Sequence, residues 1–399
     1  MFKKIIIAVF VVIMVASISD CFVFAAEQNP KKILACVYRR DDLEFWQSWK
    51  SGVQKACEAL GLEYVGFSER DEGLQRSLSN TEDAITHGAS AITFCASNAA
   101  AIIPVSKICE EKGVYIYNIF NNLPWFTPSE AGKHYVCFHT PHYVEVGYAC
   151  AEALFKAIGG QGNVVEITGR LGTGSSEDLT LGVDLALAKY PGIKLLDRQD
   201  GQYTRELSQK IMGDFLVAYP VIDGVITSND DSALGAIGAY VERGMKIPPI
   251  IGSDGIQEAI ESIKNGVMAA SYVWSPEWAG GYSVVALYDA MNGWEPSVPE
   301  RMMFISGSIV DKTNVDEYYS KVYESGESIY DWRKMSKVLH PEDWDPQLSI
   351  KPIDPNEMWR FFKKPEGYKL PQEMVDAWAN GEFTRIKYLY EEHTKSLVF

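Results

Sequence analysis

The chain has 399 residues, 47% of them hydrophobic and 23% charged, with a formal net charge of −16. This is ordinary globular composition, with enough apolar material for two cores. The acidity argues against a nucleic-acid partner, because binding a phosphate backbone needs a basic stripe and the sequence shows none.

At the N-terminus Lys3 and Lys4 precede an unbroken apolar run from Ile5 to Ala16. The run is too short to span a bilayer comfortably, and Val23-Phe24-Ala25 offers a small residue for cleavage. A signal peptide is expected over 1–25, with export to the periplasm or cell surface. The competing expectation is a lipid anchor on Cys21; Asp20 is a poor fit there, because such signals want a small residue before the cysteine. No later segment is apolar enough to span a membrane. Six cysteines follow: Cys36, Cys57, Cys95, Cys109, Cys137 and Cys150. None has CxxC spacing and all fall in predicted strands or helices, where a free thiol serves as a small hydrophobe.

From Lys32 short apolar runs alternate with amphipathic ones. Strands are predicted at 33–38, 63–67, 91–95, 114–119 and 135–139, then at 163–168, 193–196, 224–228, 250–252 and 270–273. Most are continuous apolar runs, as in parallel sheets buried on both faces. Helices are predicted at 45–60, 99–112, 144–158, 232–243 and 257–264. Gly61, Gly113, Gly159, Gly244 and Gly266 follow their ends, where a left-handed cap is wanted. The alternation predicts an α/β fold of two doubly wound parallel-sheet lobes joined by a multi-strand hinge.

Residues 32–140 with 276–304 are expected to form the first lobe, and 141–275 with 305–311 the second. The break falls near 139–143, and 304–310 is expected to be a last crossing strand. Two lobes with several crossings make a hinge and a cleft. Residues 312–399 are rich in Trp, Tyr and Pro, and an extension packed over the lobes is expected there. Its prolines forbid a long regular element before about Gln372.

Ligands of open α/β sheets bind beyond the carboxyl ends of the strands. After the first strand come Arg39, Arg40, Asp41 and Asp42, then Phe45 and Trp46 opening a helix. Such an aromatic pair either stacks on a ring-shaped ligand or packs in the core. After the third strand come Ser97 and Asn98, which can bind ligand or cap the next helix. After the fourth come Asn118, Asn121 and Asn122. The loop from Gly169 to Glu177 carries phosphate-loop glycines up to Gly174, but Ser175 stands where the essential Lys must be. Nucleotide hydrolysis is therefore not expected; a loop whose amides face a ligand is. His134, His139 and His142 lack companion ligands at metal spacing, so no metal and no cofactor are expected. His139 and His142 are expected as hinge residues lining the cleft. The sequence has no G-x-S-x-G and no H-E-x-x-H, so no enzyme activity is expected.

The run Asn229-Asp230-Asp231-Ser232-Ala233-Leu234-Gly235 follows the strand at 224–228. Ile250-Ile251-Gly252-Ser253-Asp254-Gly255 comes next, then Glu258-Ala259-Ile260 and the Lys264-Asn265-Gly266 turn. Together these resemble the periplasmic sugar-binding proteins of the ribose-binding type, which serve ABC transporters. Phe45-Trp46 takes the place of that family's aromatic pair, and the segment from Thr81 to Ile92 is similar to its second helix and third strand. The likeness covers roughly 32–310.

The resemblance implies that Asn229 and Asp254 hydrogen-bond ligand hydroxyls from the second lobe. Phe45 and Trp46 would hold the ligand from the first lobe, and Tyr203 would add a further aromatic. Arg40, Asn98 and His142 complete the candidate set by their places at strand ends and the hinge. The sequence departs from the ribose pattern at Asn118, at Glu177 and at Trp274, which makes the expected pocket more aromatic and argues against ribose itself. The implied partners are a sugar or related polyol and an ABC permease. The alternatives are a nucleoside ligand, or a sensory role with a chemoreceptor or sensor kinase.

Overall fold

Two parallel sheets organise the chain, and the continuous apolar runs are their strands. The computed structural model describes residues 32–70, 73–324 and 328–395. The expected leader peptide and Cys21 lie outside the described residues.

In the first sheet β1 (Ile33–Tyr38) lies between β2 (Glu63–Ser68) and β3 (Ala89–Phe94). Beyond β3 come β4 (Tyr115–Ile119), β5 (Tyr135–Pro141), β11 (Met302–Ile305) and β13 (Ile350–Pro352). The second sheet runs β12 (Ser308–Asp311), β10 (Ala270–Val273), β9 (Ile250–Asp254), β8 (Gly224–Thr227), β6 (Gly162–Thr168), β7 (Ile193–Asp200). Among the described residues only β13 on β11 and β12 on β10 pair antiparallel. Every residue of β5 and β8 is buried, as central parallel strands require. β7 lies at an edge and is mostly half-buried, so it runs on through polar Asp197–Asp200, where hydrophobicity alone ends it at 196.

Helices cover both sheets. In α1 (Glu44–Leu60), Trp46, Trp49, Val53, Ala56, Cys57 and Leu60 recur at helical spacing and are buried, and Gly61 closes the helix at φ 70°. α10 (Pro276–Met291) crosses α1 so closely that a Cβ on Gly52 would sit 1.9 Å from the Glu277 carbonyl oxygen. In the second lobe α5 (Tyr143–Ala157) and α6 (Gly174–Leu187) cross the same way, where a Cβ on Gly147 would sit 2.0 Å from the Leu179 carbonyl oxygen. All six cysteines among the described residues are buried, and Cys36, Cys57, Cys109, Cys137 and Cys150 are free thiols. Among the described residues no helix is long and apolar enough to cross a membrane.

The lobes are joined where β5 runs into α5, where β10 runs into α10, and where β11 runs into β12. The run expected as one crossing strand is thus two short strands, one in each sheet, broken at Ser306 and Gly307. Gly307 allows the crossing because a Cβ there would meet the Val273 carbonyl at 2.1 Å.

The extension is mounted on the first lobe. β13 adds an antiparallel edge to the first sheet and ends at Pro352, which an edge tolerates. The Trp278 indole N–H donates to the Pro346 carbonyl at 2.6 Å. Asp289 of α10 accepts the Lys337 amide at 2.7 Å. After Gln372 two regular helices form, α13 (Gln372–Ala379) and α14 (Glu382–His393), burying Met374, Ala377, Phe383, Ile386 and Tyr390. Between them and β13 lies only the four-residue α12 (Pro355–Met358).

Candidate ligand-binding cleft

The carboxyl ends of the two sheets face one cavity of about 620 Å³, mouth included. The first lobe lines it with Arg39 and Leu43 after β1, Phe45 and Trp46 at the start of α1, Cys95 after β3, and Phe120 and Asn121 after β4. Tyr143 enters from the hinge. The second lobe supplies Ser175 and Leu179 of α6, Tyr203 after β7, and Ser228, Asn229 and Asp231 around the β8 end. It also supplies Ser253, Asp254 and Trp274 at the ends of β9 and β10.

Four rings make an aromatic wall that spans both lobes. Phe45 lies 4.8 Å from Trp46, 5.7 Å from Phe120 and 5.5 Å from Trp274, and Phe120 lies 5.2 Å from Trp274. These edge-on and tilted geometries are the favoured ones for aromatic pairs. The Arg39 guanidinium stands 5.7 Å from the Trp46 ring centroid.

The polar side is held from behind. The Asn229 side-chain oxygen accepts the Ser232 amide at 3.1 Å, capping α8 (Asp230–Glu242). Asp230 accepts the amides of Gly255 and Ile256 at 2.7 and 3.0 Å and the Ser271 hydroxyl at 2.7 Å, which fixes the turn carrying Asp254. Arg205 neutralises Asp231 at 3.0 Å. Burial pushes the Asp254 carboxyl well up, and the charges of Asp230 and Asp231 add to it. The Tyr203 hydroxyl and the Ser175 hydroxyl lie 3.0 Å apart, and the Asn121 side-chain N–H donates to the Ala96 carbonyl at 2.9 Å. The buried Ser228 hydroxyl has no partner among the described residues. Phe120, Tyr203 and Asp254 take positive φ values of 67°, 61° and 119°. Residues other than glycine hold such backbone only when their surroundings enforce it, and here all three line one cavity.

Six expected site residues line the cavity: Phe45, Trp46, Tyr203, Asn229, Asp254 and Trp274. Arg40 does not; it turns back onto Asp42 at 2.8 Å, and its neighbour Arg39 takes the cavity side. Asn98 caps the turn after β3, accepting the Ala100 amide at 2.9 Å. Asn118 is buried inside β4, donating to the Asn121 carbonyl at 2.9 Å and the Tyr135 hydroxyl at 3.1 Å. His142 caps α5, accepting the Glu145 amide at 3.2 Å, with its ring edge-on to Phe304 at 4.3 Å. Glu177 accepts the Gly172 amide at 3.1 Å and Asp200 the Leu171 amide at 3.1 Å, so the glycine loop spends these amides on its own carboxylates. His139 lies behind the cleft, hydrogen-bonded to Tyr117 and stacked 5.5 Å from Tyr282.

Sequence reasoning missed Phe120, Tyr143 and Ser175. Phe120 and Tyr143 stand one or two residues beyond strand ends, which was the available signal; Ser175 was weighed only as a missing lysine. Among the described residues no group of His, Cys, Asp and Glu is placed to hold a metal ion.

The model of the periplasmic binding protein domain matches residues 34–295. The chain belongs to that family. A xylitol-binding protein of Mycolicibacterium smegmatis is 30% identical over 61% of this chain and 67% of its own length. A D-allose-binding periplasmic protein of Escherichia coli is 28% identical over 62% of this chain and 80% of its own. Among solved structures, a twin-arginine translocation pathway signal protein from Burkholderia phytofirmans superposes with a TM-score of 0.71 at 27% identity. It covers 76% of this chain and 95% of its own. As a periplasmic binding protein the chain is a solute receptor rather than an enzyme. The family match stops at residue 295, before the extension.

Proposed function

We propose that the chain is the exported substrate-binding protein of an ABC importer and that it closes on a sugar or polyol. The carrying observation is one cavity in which an aromatic wall, Phe45, Trp46 and Trp274, faces the planar acceptors Asp254 and Asn229. An aromatic face matches the C–H face of a sugar or extended polyol, and carboxylate and amide groups direct its hydroxyls. Such a site rejects analogues that lack a hydroxyl, because its buried acceptors would be stranded. The names of the xylitol-binding and D-allose-binding relatives support this class of ligand, and the second supports export. Ligand touching both lobes favours their closed arrangement, which a permease can distinguish from the open one.

Thermal unfolding against monosaccharides, disaccharides, polyols, nucleosides and amino acids tests this reading. A ligand at a thousandfold excess over Kd adds about 4 kcal/mol. The midpoint then rises by several degrees, and only with saccharides or polyols. A shift confined to nucleosides or amino acids, or none across the panel, overturns the reading.

A further inference from the structure

A second cavity, of about 320 Å³ with its mouth, adjoins the first. Phe120, Asn121, Tyr143 and Ser175 line both, so the two lie side by side and share these residues. Its outer wall comes from the C-terminal extension, through Met358, Trp359 and Phe362. These residues lie outside the segment matched by the family, which ends at 295.

The wall is fixed. Trp359 is buried and lies 5.7 Å from the Trp125 ring, and the Trp125 indole N–H donates to the Phe362 carbonyl at 3.3 Å. The Phe362 ring reaches the second lobe, where a Cβ on Gly174 would stand 3.8 Å from it. One turn further along α6 is Asp178, only 8% exposed and lining the same cavity. No hydrogen bond to its carboxylate is formed among the described residues. Burial pushes that carboxyl up to about 7, against the pull of the Arg360 charge. The Asp178 carboxylate opens onto the cavity, where a ligand hydroxyl can donate to it.

The chemistry of the lining selects the occupant. Its other polar groups are neutral: Asn121, Asn122, Thr140 and Ser175. The positive charge of Arg360 already acts on Asp178, so a hydroxyl donor suits the site better than a second cation. We propose that this cavity is a further subsite of the cleft. It takes a second hydroxyl-bearing unit of the ligand, as in a glycoside or disaccharide, with Asp178 as acceptor and Trp359 and Phe362 as its apolar wall. The proposal rests on the saccharide reading of the main cavity.

Titration calorimetry on the full chain tests it. D-glucose and D-xylose are compared with their methyl glycosides, with cellobiose and with xylobiose; xylitol and D-allose serve as single-unit references. At least one larger ligand binds tenfold or more tightly than its single-ring parent. That advantage falls toward unity in Asp178→Asn or in Phe362→Ala; the second site is half-buried and carries the test if the first variant does not fold. Single-ring sugars binding as tightly as every larger congener, or an advantage surviving in both variants, overturns the subsite while leaving the saccharide reading intact. Binding of none of these compounds overturns both.

Discussion

Glu44, the first residue of α1, accepts the backbone amide of Gln257, the first residue of α9 (Gln257–Lys264), at 2.6 Å, and this bond joins the two lobes. The first amides of a helix have no partner within it, and a carboxylate there also meets the positive end of the helix dipole. A charged hydrogen bond of this kind contributes about 1.5–3 kcal/mol. Glu44→Ala removes it from the joined arrangement alone. Ligand affinity then falls by about ten- to a hundredfold, because the binding-competent population shrinks. Calorimetry reads the loss, and small-angle scattering reads a larger radius of gyration without ligand. Unchanged affinity and size would show that the bond does not govern closure.

Asp254 is half-buried in the cleft beside two buried carboxylates, Asp230 and Asp231, and is held at φ 119°. Asn tolerates positive φ better than most residues, so Asp254→Asn keeps the turn while removing a charged acceptor. The expected result is a split. Affinity for the sugar or polyol drops by about a hundredfold, the worth of a charged hydrogen bond at the upper end of its range. The unliganded protein melts at the same temperature or a few degrees higher, since crowding of buried carboxylates is relieved. Calorimetry and thermal unfolding of one preparation check both halves; a drop in both would mark Asp254 as structural.

The alternation of apolar strands and capped helices was legible because parallel strands buried on both faces leave continuous apolar runs. Phe45 and Trp46 were legible for a related reason: strand ends point at the cleft, and these residues follow one. Asn229 and Asp254 were legible through the resemblance of their runs to the sugar-binding family. What lay hidden depends on backbone direction or on distance. Arg39 and Arg40 differ by one position, and only the turn after β1 decides which faces the cavity. Phe120 reaches the site through a left-handed residue that its side chain does not advertise. Trp359 and Phe362 come from far beyond both lobes, and no local pattern links them to Asn121 or Asp178. The three-residue β13 was masked by its own proline.

His139 is wholly buried, and desolvation lowers its pKa from 6.5 to about 3, with the Lys337 charge adding to the shift. The native protein therefore keeps this imidazole neutral where the unfolded chain already binds a proton. Stability from the site is fully present above pH 6.5 and is lost as pH falls toward 3. The loss is on the order of 5 kcal/mol over that window. Replacing His139 and its partner Tyr117 by Phe together removes the titration without stranding a hydroxyl. Urea midpoints from pH 7 to 4 are expected to fall less steeply in this double variant than in the parent protein. Parallel curves would assign the acid loss to other groups.

Lys337 and Glu300 form a buried ion pair that fastens the extension to the first lobe; their side chains are 12% and 7% exposed. The Lys337 ammonium also donates to the Tyr390 hydroxyl at 2.8 Å and stands 4.3 Å from the Trp344 ring. Burial alone would push the Glu300 carboxyl up, yet Lys337 holds it below the ordinary value. Removing one member of such a pair leaves a stranded charge and costs about 3–5 kcal/mol, whereas removing both costs much less. Lys337→Met is therefore expected to destabilise strongly. Adding Glu300→Gln to it should restore most of the loss, because Gln still accepts the Ser297 amide that Glu300 now takes at 2.8 Å. The interaction energy follows from the double-mutant cycle in urea. The single variant should also become sensitive to proteolysis within α14, since Tyr390 of that helix loses its tie to Lys337. A double variant no more stable than Lys337→Met would mean that the aromatic cage around the ammonium, and not its pairing with Glu300, holds the extension in place.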